Sequence, residues 1–409
     1  MKLRTISIVA AAAMALSLGA CSSSNDNTSS GGTTDVTLSV WAPAEDQATD
    51  QSWLQTQEKA FEAAHPEYKM TWNNSIVSES DAGKTVQQDP TAAADVYMFA
   101  NDQLGTLIQA NAVGVLPPDS ADQVKSQNND VMVASVTGPD GQLYGVPYTA
   151  NTWFMYYDKS KFTDDDITSL DAMLAKDKVA FPIDTAWYLA SFYVGNGCTL
   201  FGPNGTDESA GIDFGGEKAE KVTTYLTSLV TNPNFVNDGN GAGLAGIQNG
   251  SIAAYFSGSW DAADVKAALG DNYAAAQPPT YTLDGKQVQI EAFAGSKAVA
   301  FNPNASNATV AAQFAAFLGS TSAQQDHYTM RSIIPSDTAL ASDPTISADP
   351  VAVAQIDTVA NASIPQSTLA KMGDYWDPAT SFGQALISGD VNASNAAEKT
   401  EAWNAGYAS

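Results

Sequence analysis

Histidine, cysteine and positive charge are scarce in this 409-residue chain, and each scarcity closes a route to function. His65 and His327 are its only histidines, Cys21 and Cys198 its only cysteines. A zinc site needs several His or Cys ligands and a serine-type triad needs a histidine base, so neither chemistry has the residues it requires. No metal or other cofactor is expected. Only 18 Lys and Arg stand against 45 Asp and Glu, a formal charge of −27. That balance argues against nucleic acid as a partner and against a polybasic attachment to anionic lipid. It favours solubility and a neutral or cationic ligand. After residue 21 no stretch approaches the roughly 18 consecutive apolar residues of a membrane-spanning helix.

The exception to the polar character is at the start. Lys2 and Arg4 precede an apolar run from Ile6 to Leu18, which closes on Leu18-Gly19-Ala20-Cys21. The run is too short to span a bilayer, but has the basic start, apolar middle and small-residue cleavage site of a secretory signal. Its last four residues resemble the lipobox of bacterial lipoproteins. The resemblance implies that residues 1–20 are removed and that Cys21 is acylated, leaving the protein exported and held on the extracytoplasmic face of the cell membrane by lipid. Two or more buried acyl chains anchor stably where one binds only marginally. Removing Lys2 and Arg4 leaves 16 basic against 45 acidic residues, a charge of −29. The Gly/Ser-rich segment that follows, residues 21–35, cannot bury enough apolar surface to fold. As a flexible coil of about fourteen residues it spans roughly 20 Å, a tether between bilayer and body. With Cys21 acylated, Cys198 has no disulfide partner and reads as a small buried hydrophobe.

Beyond the tether, extended and helical patterns alternate. Val36 to Trp41 reads as a strand, followed by a helix from about Ser52 with Gln55 as capping-box partner and Trp53, Leu54, Phe61 and Ala64 on its apolar face. His65-Pro66 ends it. Tyr68 to Trp72 and Asp95 to Phe99 read as further strands, so the opening is βαβ and implies a mainly parallel sheet. Ligands gather beyond the carboxyl ends of such strands, which makes Pro43 to Glu45 and Phe99 to Gln103 rim candidates. A turn and β-rich run cover Gly141 to Tyr157, a helix Gly216 to Val230, a strand Ser251 to Phe256, an extended stretch Val288 to Phe301 and a helix Asn307 to Leu318. Gly241-Ala242-Gly243-Leu244-Ala245-Gly246 matches a dinucleotide fingerprint as a string, but a Pro/Asn-rich segment stands where the preceding strand is needed. It reads as a surface loop entering a short helix.

Four segments in order carry a family resemblance: Asp95 to Asp102; Tyr144 to Pro147 with Tyr157-Asp158-Lys159; Asn249 to Trp260; and Ile364-Pro365-Gln366 followed by Tyr375-Trp376. The chain resembles the extracellular solute-binding proteins of carbohydrate ABC importers, most closely the maltose/maltodextrin-binding group. The resemblance implies an α/β fold of two periplasmic-binding-protein-like lobes with a hinge between them. The first lobe would take residues 36–148 and 294–340, the second 149–293 and 341–409. Hinges would lie at Tyr148 to Asn151 and Glu291 to Phe293. It further implies a monomeric, non-catalytic receptor that delivers an oligosaccharide, maltose- or maltodextrin-like, to permease subunits driven by a separate ATPase.

A pyranose has apolar C–H faces and a rim of hydroxyls, so its site needs aromatic platforms among carboxylates, amides and a few cations. Carried over position by position, Trp260 and Trp376 match the stacking tryptophans of the second lobe. Phe99, Asp102 and Gln103 match an aromatic, an acid and a base after a first-lobe strand, and Glu45 an acidic ligand. Tyr188 matches another platform, preceded by Trp187, and Trp153 near the first crossover adds a stacking surface. Gln103, Asn151 and Ala186 stand where the maltose-binding pattern has arginine and two glutamates, which leaves the identity of the sugar open. Trp53, Trp72 and Trp403 read as packing residues. Two other classes compete: an exported carbohydrate-active hydrolase drawing paired carboxylates from Glu45, Asp102, Glu291 and Asp374, and a peptide or polyamine receptor exploiting the acidic excess.

Overall fold

The computed structural model describes residues 33–89 and 93–408. The secretory signal, Cys21 and all but the end of the tether lie outside them. Strand β1 (Thr34–Ala42) takes up the last two residues assigned to the tether, and its buried Val36, Leu38 and Val40 alternate with more exposed neighbours. The helix Trp53–Ala64 buries Trp53, Leu54 and Phe61, and His65 closes it. The expected capping box does not form, because the Ser52 hydroxyl accepts from the Thr49 N–H instead. Strands β2 (Tyr68–Ile76) and β3 (Val96–Ala100) complete the opening unit.

Both β2 and β3 pair parallel to β1. Beyond β3 the sheet continues with Ser296–Phe301 and then β4 (Val146–Ala150), each pair antiparallel. The sheet is therefore mixed rather than mainly parallel. Ser296–Phe301 enters it from the opposite lobe and so runs against the βαβ direction.

The second sheet has the order Tyr273–Ala276, β5 (Phe154–Asp158), Ala254–Ser257, β6 (Val179–Phe181), Phe235–Asn237. Both pairings of β5 are antiparallel and both pairings of β6 are parallel. Each sheet is packed by helices around its own core. Leu38, Trp53, Phe61, Tyr97 and Phe99 belong to the first; Trp153, Phe181, Phe192, Tyr193 and Tyr375 belong to the second. Trp403 joins the second core and Trp72 packs against the first, as packing residues should. Cys198 lies in the second core, 3% exposed, and burial pushes its thiol up to about 12.

The chain passes between the two sheets from Ala150 to Phe154 and returns from Ala294 to Ser296. These two passes lie side by side, tied by the Asn151 N–H to the Gly295 carbonyl at 2.8 Å. Ala292–Ala294 also pairs parallel with Ser363–Pro365, which brings Gln366 to the same crossing region. A third pass follows the helix Thr321–Arg331: Ile333 packs on the first core, and Ile334 already belongs to a cluster with Phe154, Tyr156 and Tyr255. Residues 336–338 still bond to Tyr148, Gln324 and Gln127 of the first lobe, so contacts to the two lobes overlap along this pass. Among the described residues no helix is long and apolar enough to cross a membrane, and no group of three or more His, Cys, Asp and Glu could hold a metal ion.

Candidate functional site

Between the sheets lies a cavity of about 500 Å³, lined by Glu79, Ser80, Ala100, Asp102, Asn151, Trp187, Trp260, Lys297, Gln366 and Trp376. That size is within the range of small-molecule sites. An adjoining hollow shares Glu79, Trp260 and Lys297 with it and reaches Glu45, Asp46, Tyr148, His327 and Arg331, so the two form one groove.

The walls differ in chemistry because they come from different lobes. All three tryptophans stand on second-lobe elements. Trp187 is in the first turn of the helix Ala186–Gly195, Trp260 in the turn after Ala254–Ser257, and Trp376 in the first turn of the helix Gly373–Ser388. The neighbour of each is buried: Tyr188 beside Trp187, and Tyr375, whose hydroxyl donates to the Ala186 carbonyl at 2.9 Å, beside Trp376. One residue of each helical pair enters the core and the next is left for the cleft. Trp187 and Trp260 are 6.2 Å apart between centroids and tilted by 33°. The Trp187 Nε1 is buried with no hydrogen-bond partner among the described residues, as is the Gln366 Oε1 at the crossing.

First-lobe residues make the opposite wall polar. Glu79 accepts from the Tyr148 hydroxyl at 2.6 Å and lies 3.1 Å from the Lys297 ammonium. Burial would raise its pKa, but Lys297 and Tyr148 outweigh that and hold Glu79 below the usual glutamate value. Asp102 has no such cation, and desolvation pushes its carboxyl up to about 7. Asn151, at the crossing, donates from Nδ2 to Asn101 Oδ1 at 3.3 Å. Gly295 is required there, since a Cβ on it would stand 2.2 Å from the Asn101 side chain.

Five of the ten residues singled out from sequence meet in this cavity: Asp102, Asn151, Trp187, Trp260 and Trp376. Glu45 is exposed on the adjoining hollow, and its neighbour Asp46 turns inward. The other four are placed elsewhere. Phe99 is fully buried, because β3 is covered on both faces and its alternate side chains all enter the core. Gln103 turns back to accept from the Gly83 N–H and donate to the Glu79 carbonyl, so it braces the Glu79 loop. Trp153 is fully buried, 5.0 Å from Tyr188 and edge-on to Phe181 and Phe256, a foundation rather than a platform. Tyr188 is 9% exposed and faces a separate hollow lined by Pro182, Asp238, Tyr255 and Asp261. Of the carboxylates considered for hydrolysis, Glu291 and Asp374 lie outside the lining of the cavity.

Glu79, Ser80, Lys297 and Gln366 are additions. Lys297 carried a readable signal, a charge inside the otherwise small and apolar strand Ser296–Phe301. Gln366 stood in a segment already notable for its resemblance. Glu79 carried none, since Ser78-Glu79-Ser80-Asp81 looks like any solvated loop.

The family model for bacterial extracellular solute-binding proteins matches residues 57–354. The chain belongs to that family. Its members are solute-binding components of transporters and not enzymes, and the two mixed lobes around one cleft are their fold. This solute-binding protein is 30% identical to the maltooligosaccharide ABC transporter solute-binding lipoprotein of Streptococcus pneumoniae over 321 residues, 74% of each chain. Among solved structures, one described as being with acarbose is 48% identical, with a TM-score of 0.88 over 91% of this chain and 99% of that one. The maltodextrin-binding protein MalE1 from L. casei, solved without ligand, is 28% identical, with a TM-score of 0.81 over 92% of this chain and 100% of that one.

Proposed function

We propose that this solute-binding protein captures a maltooligosaccharide in the cleft and hands it to the permease of an ABC importer with a separate ATPase. The observation that carries the reading is the convergence of Trp187, Trp260 and Trp376 from one lobe on a wall of carboxylate and ammonium from the other, with the amides of Asn151 and Gln366 at the crossing between them. Apolar ring faces suit the indoles, and hydroxyl rims suit the polar wall. The unpartnered Trp187 Nε1 and Gln366 Oε1 offer one donor and one acceptor to such a ligand. The names of the Streptococcus pneumoniae and L. casei relatives support the class of sugar. Because the two walls belong to separate lobes, a ligand that touches both favours the closed arrangement by its extra contacts there. The same reading places the protein as a monomer on the extracytoplasmic face, held by acylated Cys21.

The test is calorimetric titration of the purified protein with maltose, maltotriose, maltotetraose, galactosides, fructo-oligosaccharides and amino acids, with recovery and analysis of the bound sugar. Saturable binding of the maltooligosaccharides near micromolar Kd, about −8 kcal/mol, with the sugar intact, is expected. Silence with every glucan, or cleavage of the sugar, would sink the reading.

A further inference from the structure

Lys297 is the only basic side chain among the residues lining the main cavity. Its position follows from strand register. In the antiparallel ladder it faces Ala100, the last residue of β3, directly before the turn that carries Asp102 and Gln103. The ladder therefore brings an ammonium to the corner of the cleft where Gln103 supplies no charge and has both ends of its amide engaged with backbone.

The ammonium is firmly held there. Lys297 and Glu79 have side chains only 21% and 11% exposed, and Glu79 is fixed in turn by the Tyr148 hydroxyl. On the cleft side, the Lys297 Nζ lies 5.2 Å from the centroid of Trp260, across the gap between the lobes. An ammonium has three N–H donors. Glu79 is the one hydrogen-bond acceptor it meets among the described residues, so two donors remain for whatever enters the cavity.

We propose that Lys297 is a specificity-determining residue of the cleft, donating hydrogen bonds to hydroxyl oxygens of the sugar ring that stacks on Trp260. The proposal rests on the oligosaccharide reading given above. A ring that seats on the indole face takes the place of the ammonium, which exchanges a π contact for hydroxyl oxygens at the rim of the same ring. Glu79 holds the lysine in position throughout. A site built around such a donor discriminates strongly against a ring lacking the matching hydroxyl, because the buried donor is then left unpaired.

The test compares wild type, Lys297→Met and Lys297→Arg in titrations with maltotetraose and a set of singly deoxygenated maltotetraoses, with thermal melts to establish folding. Lys297→Met should bind maltotetraose about tenfold or more weaker, and Lys297→Arg should recover much of the loss. At least one deoxy analogue that binds wild type more weakly than its parent should bind Lys297→Met with no further loss. Unchanged or tighter binding by Lys297→Met, or equal deoxy penalties in wild type and variant, would overturn the proposal and leave Lys297 a counter-ion of Glu79. If methionine prevents folding, the same comparison is made with Lys297→Gln. A wild type that fails to bind maltotetraose removes the oligosaccharide reading and this proposal together; a wild type that binds while the deoxy penalties persist in the variant removes this proposal alone.

Discussion

The indole of Trp260 folds back over Gly258 so closely that a Cβ on the glycine would stand 2.0 Å from the ring. Gly258 has an extended backbone, with φ −101°, so any residue could adopt its conformation. The glycine is needed for the space it leaves. Its carbonyl is also fixed from below, accepting from the Tyr156 hydroxyl at 2.8 Å, so the turn cannot easily retreat. Gly258→Ala should therefore displace the platform while preserving the fold. We expect it to weaken maltooligosaccharide binding in the same direction as Trp260→Ala and Trp376→Ala, each by about 1–3 kcal/mol. Calorimetry alongside melting curves checks this, and unchanged affinity in a folded variant removes that tryptophan from the site.

Trp153 should behave in the opposite way. It is fully buried between Tyr188, Phe181 and Phe256, so Trp153→Ala opens a cavity in the second core. The expected cost is about 3–5 kcal/mol of stability. Chemical denaturation measures it; a stability loss below about 1 kcal/mol would mean that the indole is not packed as described.

Asp102 gives the cleft a pH signature. Burial raises its carboxyl from the ordinary 3.8 to about 7, so between those values the native state binds a proton that the unfolded chain has released. The folded form then holds more protons, and stability from this group falls as pH rises through that window. Asp102→Asn removes the dependence. Melting curves of wild type and variant should coincide near pH 3, diverge in favour of the variant up to about pH 7, and run parallel above it. Divergence of the opposite sign would show a stabilising partner for the carboxylate.

Asp46 works with the reverse sign. Burial alone would raise it, but His327 at 3.0 Å and Arg331 at 3.3 Å more than offset that, and its pKa is lowered. Its contribution is present above 3.8 and is lost as pH falls below that value. Asp46→Ala leaves buried donors without their anion and should cost about 3–5 kcal/mol. Acid-unfolding curves that shift little in the variant would count against the ion cluster.

Much of this arrangement was legible in the chain, and the boundary of legibility has physical causes. The strand of alternating Val36, Leu38 and Val40 and the helix ended by His65-Pro66 follow from local periodicity and backbone chemistry. The Gly241 to Gly246 string departs from its loop reading: the Pro/Asn-rich segment before it contributes the edge strand Phe235–Asn237, and residues 242–246 already belong to the helix Ala242–Asn249. Trp187, Trp260 and Trp376 were readable because large aromatics at strand and helix ends have few uses besides core and ligand. Which use applies is a matter of one residue in rotation. Tyr188 and Trp187 are adjacent on one helix, yet they face different hollows. Phe99 went the other way because both faces of its strand are covered, and Trp153, in the crossing segment just before β5, because Tyr188, Phe181 and Phe256 close around it; neither is contained in a window of sequence. Glu79 and Lys297 lie 218 residues apart and acquire their role only when the sheet pairs Lys297 with Ala100. The run of parallel strands expected from the βαβ opening failed for a related reason, since the return of Ser296–Phe301 from the far lobe sets the direction of half the pairings.

Cys198 sits deep in the second core with a thiol that stays protonated at neutral pH, and the only other cysteine, Cys21, is the proposed acylation site. The folded body is therefore chemically blank toward maleimide reagents. A cysteine introduced on the surface of each lobe could carry a donor and an acceptor fluorophore with little background labelling, which would turn capture of a sugar into a change in emitted colour.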